Sequence, residues 1–236
     1  MTNAVKRLGC VLVLAFVALA GSAPPAFAQQ TLNASWGYSL FRADRVATDV
    51  LLIEHHDLVF DFSDFNASTV GAEWLVPVGN LFEAGAGVAL SRKTVPTVHV
   101  SAFNGDGSAI PRDLRLRQMP LAFTVRVLPL GQSYSVQPYA GGGVAVINWR
   151  FSEAGDFALS NRLIFRDEQY EATGNAIGPV VLAGLRVSGE SMAFGFEGRY
   201  QRARGGFGPA FARVQNPDID LGGWTLSLTA GWRFGE

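Results

Sequence analysis

One cysteine, two lysines and a charged fraction of 17% are what this 236-residue sequence has little of. With Cys10 alone there is no disulfide framework and no thiolate metal site. Lysine is confined to Lys6 and Lys93, and the net charge of −1 offers no basic face for nucleic acid. The high apolar share excludes a disordered tail. Beyond residue 28 no segment carries about 18 apolar residues in a row, so helical membrane spans are excluded as well.

What is present begins with an address. Lys6 and Arg7 precede an uncharged apolar run, Leu8 to Ala20, then Pro24-Pro25 and the triplet Ala26-Phe27-Ala28. A basic start, an apolar stretch of about 7–15 residues and an A-x-A site predict a secretory signal peptide over residues 1–28. Cys10 lies early in the run, not at its end, which argues against lipid attachment. The mature chain over 29–236 is then exported without any cysteine, and must take its stability from a large fold or from a membrane.

The remaining sequence alternates with period two. Leu32, Ala34, Trp36, Tyr38 and Leu40 interleave with Thr31, Asn33, Ser35, Gly37 and Ser39. The same pattern recurs at 66–76, 81–91, 118–127 and 192–201, and is cleanest at 224–234. Successive side chains on a strand point to opposite faces, so each run predicts a two-faced strand. Segments 136–149 and 176–187 are apolar or glycine on both faces, and their registers stay open. The total is eight strands. Short turns at Pro77–Asn80, Pro129–Ser133 and Ser188–Ser191 alternate with long stretches at 43–64, 92–113, 150–172 and 202–218. All the long connections therefore fall at one end of an up-and-down meander.

Alternation leaves open which face is wet. A soluble barrel buries its apolar face, whereas a transmembrane barrel turns it outward to lipid. The polar face here is mostly Gly, Ser, Thr and Ala, with sparse Glu and Arg, unlike a water-facing surface rich in charge. Aromatics of the apolar face gather near strand ends: Trp74, Phe82, Trp232 and Phe234 at one end, Tyr200 and Trp224 at the other. From Trp224 to Trp232 a strand runs about 26 Å, or about 20 Å of membrane normal at a tilt of ~40°, near the ~25 Å apolar band of such barrels. An all-β, eight-stranded antiparallel up-and-down transmembrane barrel is the expectation.

These features, with the segment Gln137-Pro138-Tyr139-Ala140-Gly141-Gly142-Gly143 and the ending Trp232-Arg233-Phe234, make the sequence resemble the small outer-membrane barrels of the OmpA/OmpX and OmpW type. The resemblance implies an outer-membrane location in a Gram-negative-type envelope. It further implies outer-membrane lipid and lipopolysaccharide as surroundings, barrel-assembly machinery as a partner during insertion, and a monomer. It implies no cofactor and no enzymatic activity, the strands serving as an anchor for four long surface loops. Three other roles stay open: a narrow pore for small apolar molecules, a lipid A-modifying barrel enzyme, and a soluble periplasmic ligand-binding barrel.

Candidate site residues are few. Glu73, Glu83, Arg126, Glu197, Arg199 and Arg233 fall on the inward face, with Arg186 a further member. They could line a pore, but eight strands leave little bore, and arginine–carboxylate pairing across it is the expected use. At least one of Arg126 and Arg233 is expected to pair with Glu73 or Glu83. His55, His56 and His99 are expected in solvated loops, and no metal site is assigned. His99-x-Ser101 with Asp113 is similar to the His-x-Ser pair and acidic partner of eight-stranded lipid A deacylases, which would make Ser101 the nucleophile, His99 its base and Asp113 the orienting carboxylate. Gly141-Gly142-Gly143 lacks the Lys-Ser/Thr of a phosphate loop, and is expected to make room for bulky interior neighbours.

Overall fold

The computed structural model describes residues 29–42, 49–158, 164–207 and 217–235; the expected signal peptide lies outside them. Eight strands close into a ring: β1 (Gln30–Phe41), β2 (Ala67–Val78), β3 (Phe82–Phe103), β4 (Ala109–Val127), β5 (Val136–Ala158), β6 (Ile164–Ser188), β7 (Met192–Gln201) and β10 (Gly223–Phe234). Each pairs antiparallel with its neighbours, and β1 closes the ring on β10 from Gln30↔Phe234 to Phe41↔Gly223. A short helix α1 (Val50–Asp57), a 3-10 turn (Phe62–Phe65) and a small ribbon of β8 (Arg204–Gly206) with β9 (Asp218–Asp220) complete the described chain.

The two registers left open by sequence are now fixed. On β5 the odd positions from Gln137 to Phe151 face inward, and on β6 the even positions from Ala172 to Ser188 do so. Gly143 shows why glycine is needed on β5: a Cβ there would lie 1.9 Å from the Phe123 carbonyl oxygen of β4. Gly184 leaves the space that the Tyr139 ring fills, since a Cβ there would sit 2.5 Å from the phenol.

The expectation of four long irregular loops is corrected at two of them. Stretches 92–113 and 150–172 are largely strand, because β3 with β4 and β5 with β6 continue as paired hairpins. With 19, 23 and 25 residues, β4, β5 and β6 are about twice the 9–11 residues that cross a bilayer. The polarity pattern shows where they leave it. On β4 the outward positions are Asp113, Arg115 and Arg117, then Met119, Leu121, Phe123, Val125 and Val127. The inward positions change oppositely, from Leu114 and Leu116, both buried, to Gln118, Thr124 and Arg126. One strand is thus an ordinary soluble wall above residue 118 and an inverted wall below it.

Below that level the outside is an unbroken apolar belt. Trp36, Leu228, Phe196 and Val181 stand 50–63% exposed in the protein alone, as lipid-facing side chains must. Trp74 and Trp232 both flank Leu32 at the short-turn rim, and Tyr200 stacks on Trp224 (5.1 Å between ring centroids) at the other. Above the belt the hairpin walls are filled by an apolar core. Leu51 and Leu58 from the α1 segment, Phe60 and Phe65 pack with Leu114, Leu116, Trp149 and Phe151 of the wall and with Ile219 and Leu221 beside the ribbon. Among the described residues, the interior is polar inside the membrane and predominantly apolar above it, with Arg112, Glu54 and Glu153 a buried charged exception.

The inside–outside assignment is testable at the belt's middle. Leu228→Arg should cost about 2–4 kcal/mol of barrel stability, whereas Thr229→Ser on the inward face should cost little. Urea unfolding from lipid vesicles measures both; equal tolerance at the two positions would mean that the faces are reversed or the barrel is soluble.

Candidate functional site

The inward charges meet in two tiers that cross the bore. In the first, Arg126 on β4 bonds through Nη2 to Oε2 of Glu73 on β2 and, at 2.8 Å, to Oε2 of Glu197 on β7. Arg199, two residues along on β7, donates from Nη2 to Glu197 Oε1 (2.8 Å) and lies 3.3 Å from Glu73 Oε2. Two cations and two carboxylates balance, and the tier ties β2 and β4 to β7 on the opposite wall. Tyr139 on β5 closes it: its hydroxyl donates to Glu197 Oε2 (3.1 Å), and its ring lies 4.8 Å from the Arg126 guanidinium carbon. Thr124 Oγ1 donates to Glu73 Oε1 at 3.2 Å.

In the second tier, nearer the short turns, Arg186 on β6 grips Glu83 on β3 with both terminal nitrogens, at 2.6 and 3.2 Å. Its Nε and Nη2 also donate to Gln137 Oε1, at 2.9 and 2.6 Å. The Gln137 amide in turn donates to the carbonyls of Gln132 and Tyr134, both at 2.8 Å. A buried guanidinium is tolerable only with such full pairing. Arg233 joins neither tier: its Nη1 donates to the Gly189 carbonyl (2.6 Å) at the rim. Glu83 is the strand neighbour of Arg126 yet takes Arg186 as its partner, so pairing follows reach across the bore rather than register.

Gln137 and Tyr139, which complete these tiers, are not among the site residues that the sequence reading singles out. Their signal was present, since both are inward-facing polar residues of the Pro-Tyr segment, but it was masked by the open register. A third buried cluster was also missed. Arg112 of β4 lies 3.3 Å from Glu54 of α1 and 3.7 Å from Glu153 of β5, which fastens the helix to the hairpin wall. Asp49 caps the same helix by accepting from the Leu51 amide (2.9 Å). Burial, aided by neighbouring Asp220 and Asp218 and opposed by the hydrogen bonds from the Leu51 and Asp220 amides, pushes its carboxyl up to about 7.

Between the charged tiers and the apolar core lies a polar cavity of about 60 Å³, lined by Ser35, Thr69, Gln118, Gln201, Thr225 and Ser227 among others, with Glu73, Glu197 and Arg199 also on its wall. It has room for a few waters.

The histidines are placed differently from the sequence expectation. His55 and His56 lie on α1, with the His55 ring 5.2 Å from that of Phe60, and His99 lies on β3. Among the described residues no group of three metal-ligating side chains assembles. The Nδ1 of His99 accepts from the backbone amides of Ser101 (3.3 Å) and Ala102 (3.2 Å). An acceptor Nδ1 puts the proton on Nε2, the reverse of the tautomer in which a carboxylate holds Nδ1–H and Nε2 takes the serine proton. Asp113 is exposed and stands opposite Pro96 on β3 and Ala154 on β5.

Closed ring, apolar belt, aromatic rims and paired polar interior together define an eight-stranded transmembrane β-barrel of the outer-membrane type. The soluble alternative fails because it would leave Trp36, Leu228 and Phe196 in water. The solved outer-membrane protein OprG of Pseudomonas aeruginosa shares this fold: 13% identity, 89% of this chain and 97% of that chain covered, TM-score 0.53. Neisserial surface protein A (9% identity, 87% and 97% covered, TM-score 0.48) and Ail of Yersinia pestis (11%, 88% and 99%, TM-score 0.47) are further similar structures. No protein-family model and no curated protein matches the sequence.

The first tier should behave as one unit. Arg126→Met alone should cost about 3–5 kcal/mol by leaving Glu73 and Glu197 with Arg199 as their single cation, one buried negative charge in excess, and adding Glu197→Gln should recover part of that loss. A double-mutant cycle in urea measures the coupling; strictly additive losses would mean that the tier is solvated.

Proposed function

We propose that this protein is a closed, non-enzymatic anchor in the cell outer membrane, and that its role is played by the hairpin wall that stands above the bilayer. The observation that carries this reading is the filled interior. Two tiers of ion pairs bridge opposite walls inside the membrane, and an apolar core from Leu51 to Leu221 fills the hairpin region above them. A conducting path would have to break buried arginine–carboxylate pairs, each break leaving an uncompensated charge. The narrow-pore reading is therefore disfavoured. The enzyme reading is disfavoured by the His99 tautomer and by the exposed position of Asp113.

The anchor reading carries its partners with it. Lipid and lipopolysaccharide surround the belt, barrel-assembly machinery inserts the chain, and the barrel works as a monomer, its closed ring offering no strand edge for a second copy to pair with. Rigid scaffolds commonly carry binding on what projects from them. What projects here is built strand, with Val98, Val100 and Phe103 exposed near the tip of the β3–β4 hairpin. These apolar side chains stand well above the belt, where a surface partner would meet them.

Single-channel recording across a planar bilayer should show no conductance steps above baseline, and sustained steps would overturn the closed interior. In the same preparations, lipid A should keep its mass after incubation with the protein; loss of an acyl chain would overturn the non-enzymatic reading.

A further inference from the structure

Three arginines form one row across three adjacent strands. Arg92 of β3 is the register partner of Arg117 of β4, and Arg117 that of Arg150 of β5. All three are exposed on the outer face of the wall. Side chains directly opposed on one face have Cβ atoms about 4.5–5.5 Å apart, and like charges so placed repel. Arg115 stands one outward position beyond Arg117 and donates from Nε to Thr94 Oγ1 (3.1 Å). Among the described residues, the acidic groups nearest the row on this face are Glu171, which pairs with Arg150, and Asp113, two residues beyond Arg115. Among the described residues neither Arg92 nor Arg117 forms an ion pair.

The height of the row is as informative as its charge. Two residues toward the short-turn end, the outward positions are Leu90, Met119 and Asn148, and beyond Asn148 comes Val146. The guanidiniums therefore stand directly on the upper edge of the apolar belt, on the hairpin side, at the level of lipid headgroups. Each is a planar fork suited to bidentate contact with phosphate oxygens. Glu171 answers Arg150 alone, so Arg92 and Arg117 oppose each other with no carboxylate paired to either among the described residues, and the membrane supplies anions at this level.

We propose that Arg92, Arg117 and Arg150, flanked by Arg115, form an outer-wall site for the phosphate groups of an anionic lipid headgroup, of the phosphorylated glycolipid class found in an outer leaflet. Arg117, at the centre of the row, shares phosphate oxygens with a neighbour on either side, while the acyl chains lie along Leu90, Met119, Leu121 and Val146. The site rests on the membrane reading, with the hairpins at the outer face.

The test uses the full mature barrel, refolded in detergent, with its folded state checked by the shift in gel mobility on boiling. Native mass spectrometry then counts adducts with bisphosphorylated lipid A, with its dephosphorylated form, and with either in millimolar inorganic phosphate. The wild-type barrel should hold the bisphosphorylated lipid about tenfold more tightly than the dephosphorylated one, a comparison that needs no substitution. Arg92→Gln with Arg117→Gln should abolish that preference while leaving the boiling shift intact. Inorganic phosphate should not displace the lipid. Equal affinity of the wild type for the two lipids, or an unchanged preference in the variant, would overturn the site. Displacement by inorganic phosphate alone would overturn the lipid headgroup as its ligand. A barrel that shows no boiling shift and does not enter vesicles would instead refute the membrane reading beneath it.

Discussion

Hydrocarbon offers a peptide group nothing to bond to, and that constraint governs everything else in this chain. Each N–H and C=O inside the bilayer must find a partner within the protein, and a sheet can do so only if it has no edge. Closure of β1 on β10 over twelve register pairs meets the requirement, and brings the two ends of the described barrel side by side at the short-turn rim. Once the ring closes, its outer face must be apolar. The inner face then receives the polar residues by the alternation of the strand alone.

A closed eight-stranded ring raises a second problem, since its interior is too narrow for water to solvate charge freely. Two solutions are stacked in this molecule. Within the membrane, glutamate and arginine neutralise each other across the bore, with Tyr139, Thr124 and Gln137 adding hydrogen bonds to the paired groups. Above it, where the outside is wet, the interior can be an ordinary apolar core, and the α1 segment and the β8–β9 ribbon supply its filling. The two regimes meet at the polar cavity beside Gln118. The same transition, seen from outside, places the arginine row where the belt ends.

Much of this was legible in the sequence, and the failures have a common cause. The eight strands, their short turns, the outward face of β10 and the inward set from Glu73 to Arg199 follow from period two and need no tertiary knowledge. The upper halves of β3 to β6 do not show as strands under a pattern that keeps apolar residues outward along the whole strand. From Asp113 to Arg117 the alternation persists but its polarity is swapped, with Leu114 and Leu116 now inward, and Arg112 adds a buried charge. A reader who expected one solvent along the whole strand would see noise there. Glycines hid the registers of β5 and β6, since a residue without a side chain marks neither face. The partners within the tiers lay beyond sequence altogether, because Arg126 and Glu197 meet across a bore that only closure creates.

The swap of polarity along β4 is the central claim, and depth can be measured directly. Single environment-sensitive labels at outward positions 113, 115, 117, 119, 121, 123 and 125 would be compared in vesicles, with a water-soluble quencher and with a quencher on the lipid chains. The account predicts that aqueous quenching dominates through Arg117 and lipid quenching from Met119 onward, with the change falling between those two residues. Aqueous quenching along the whole series, or a gradual change with no break at that position, would contradict it.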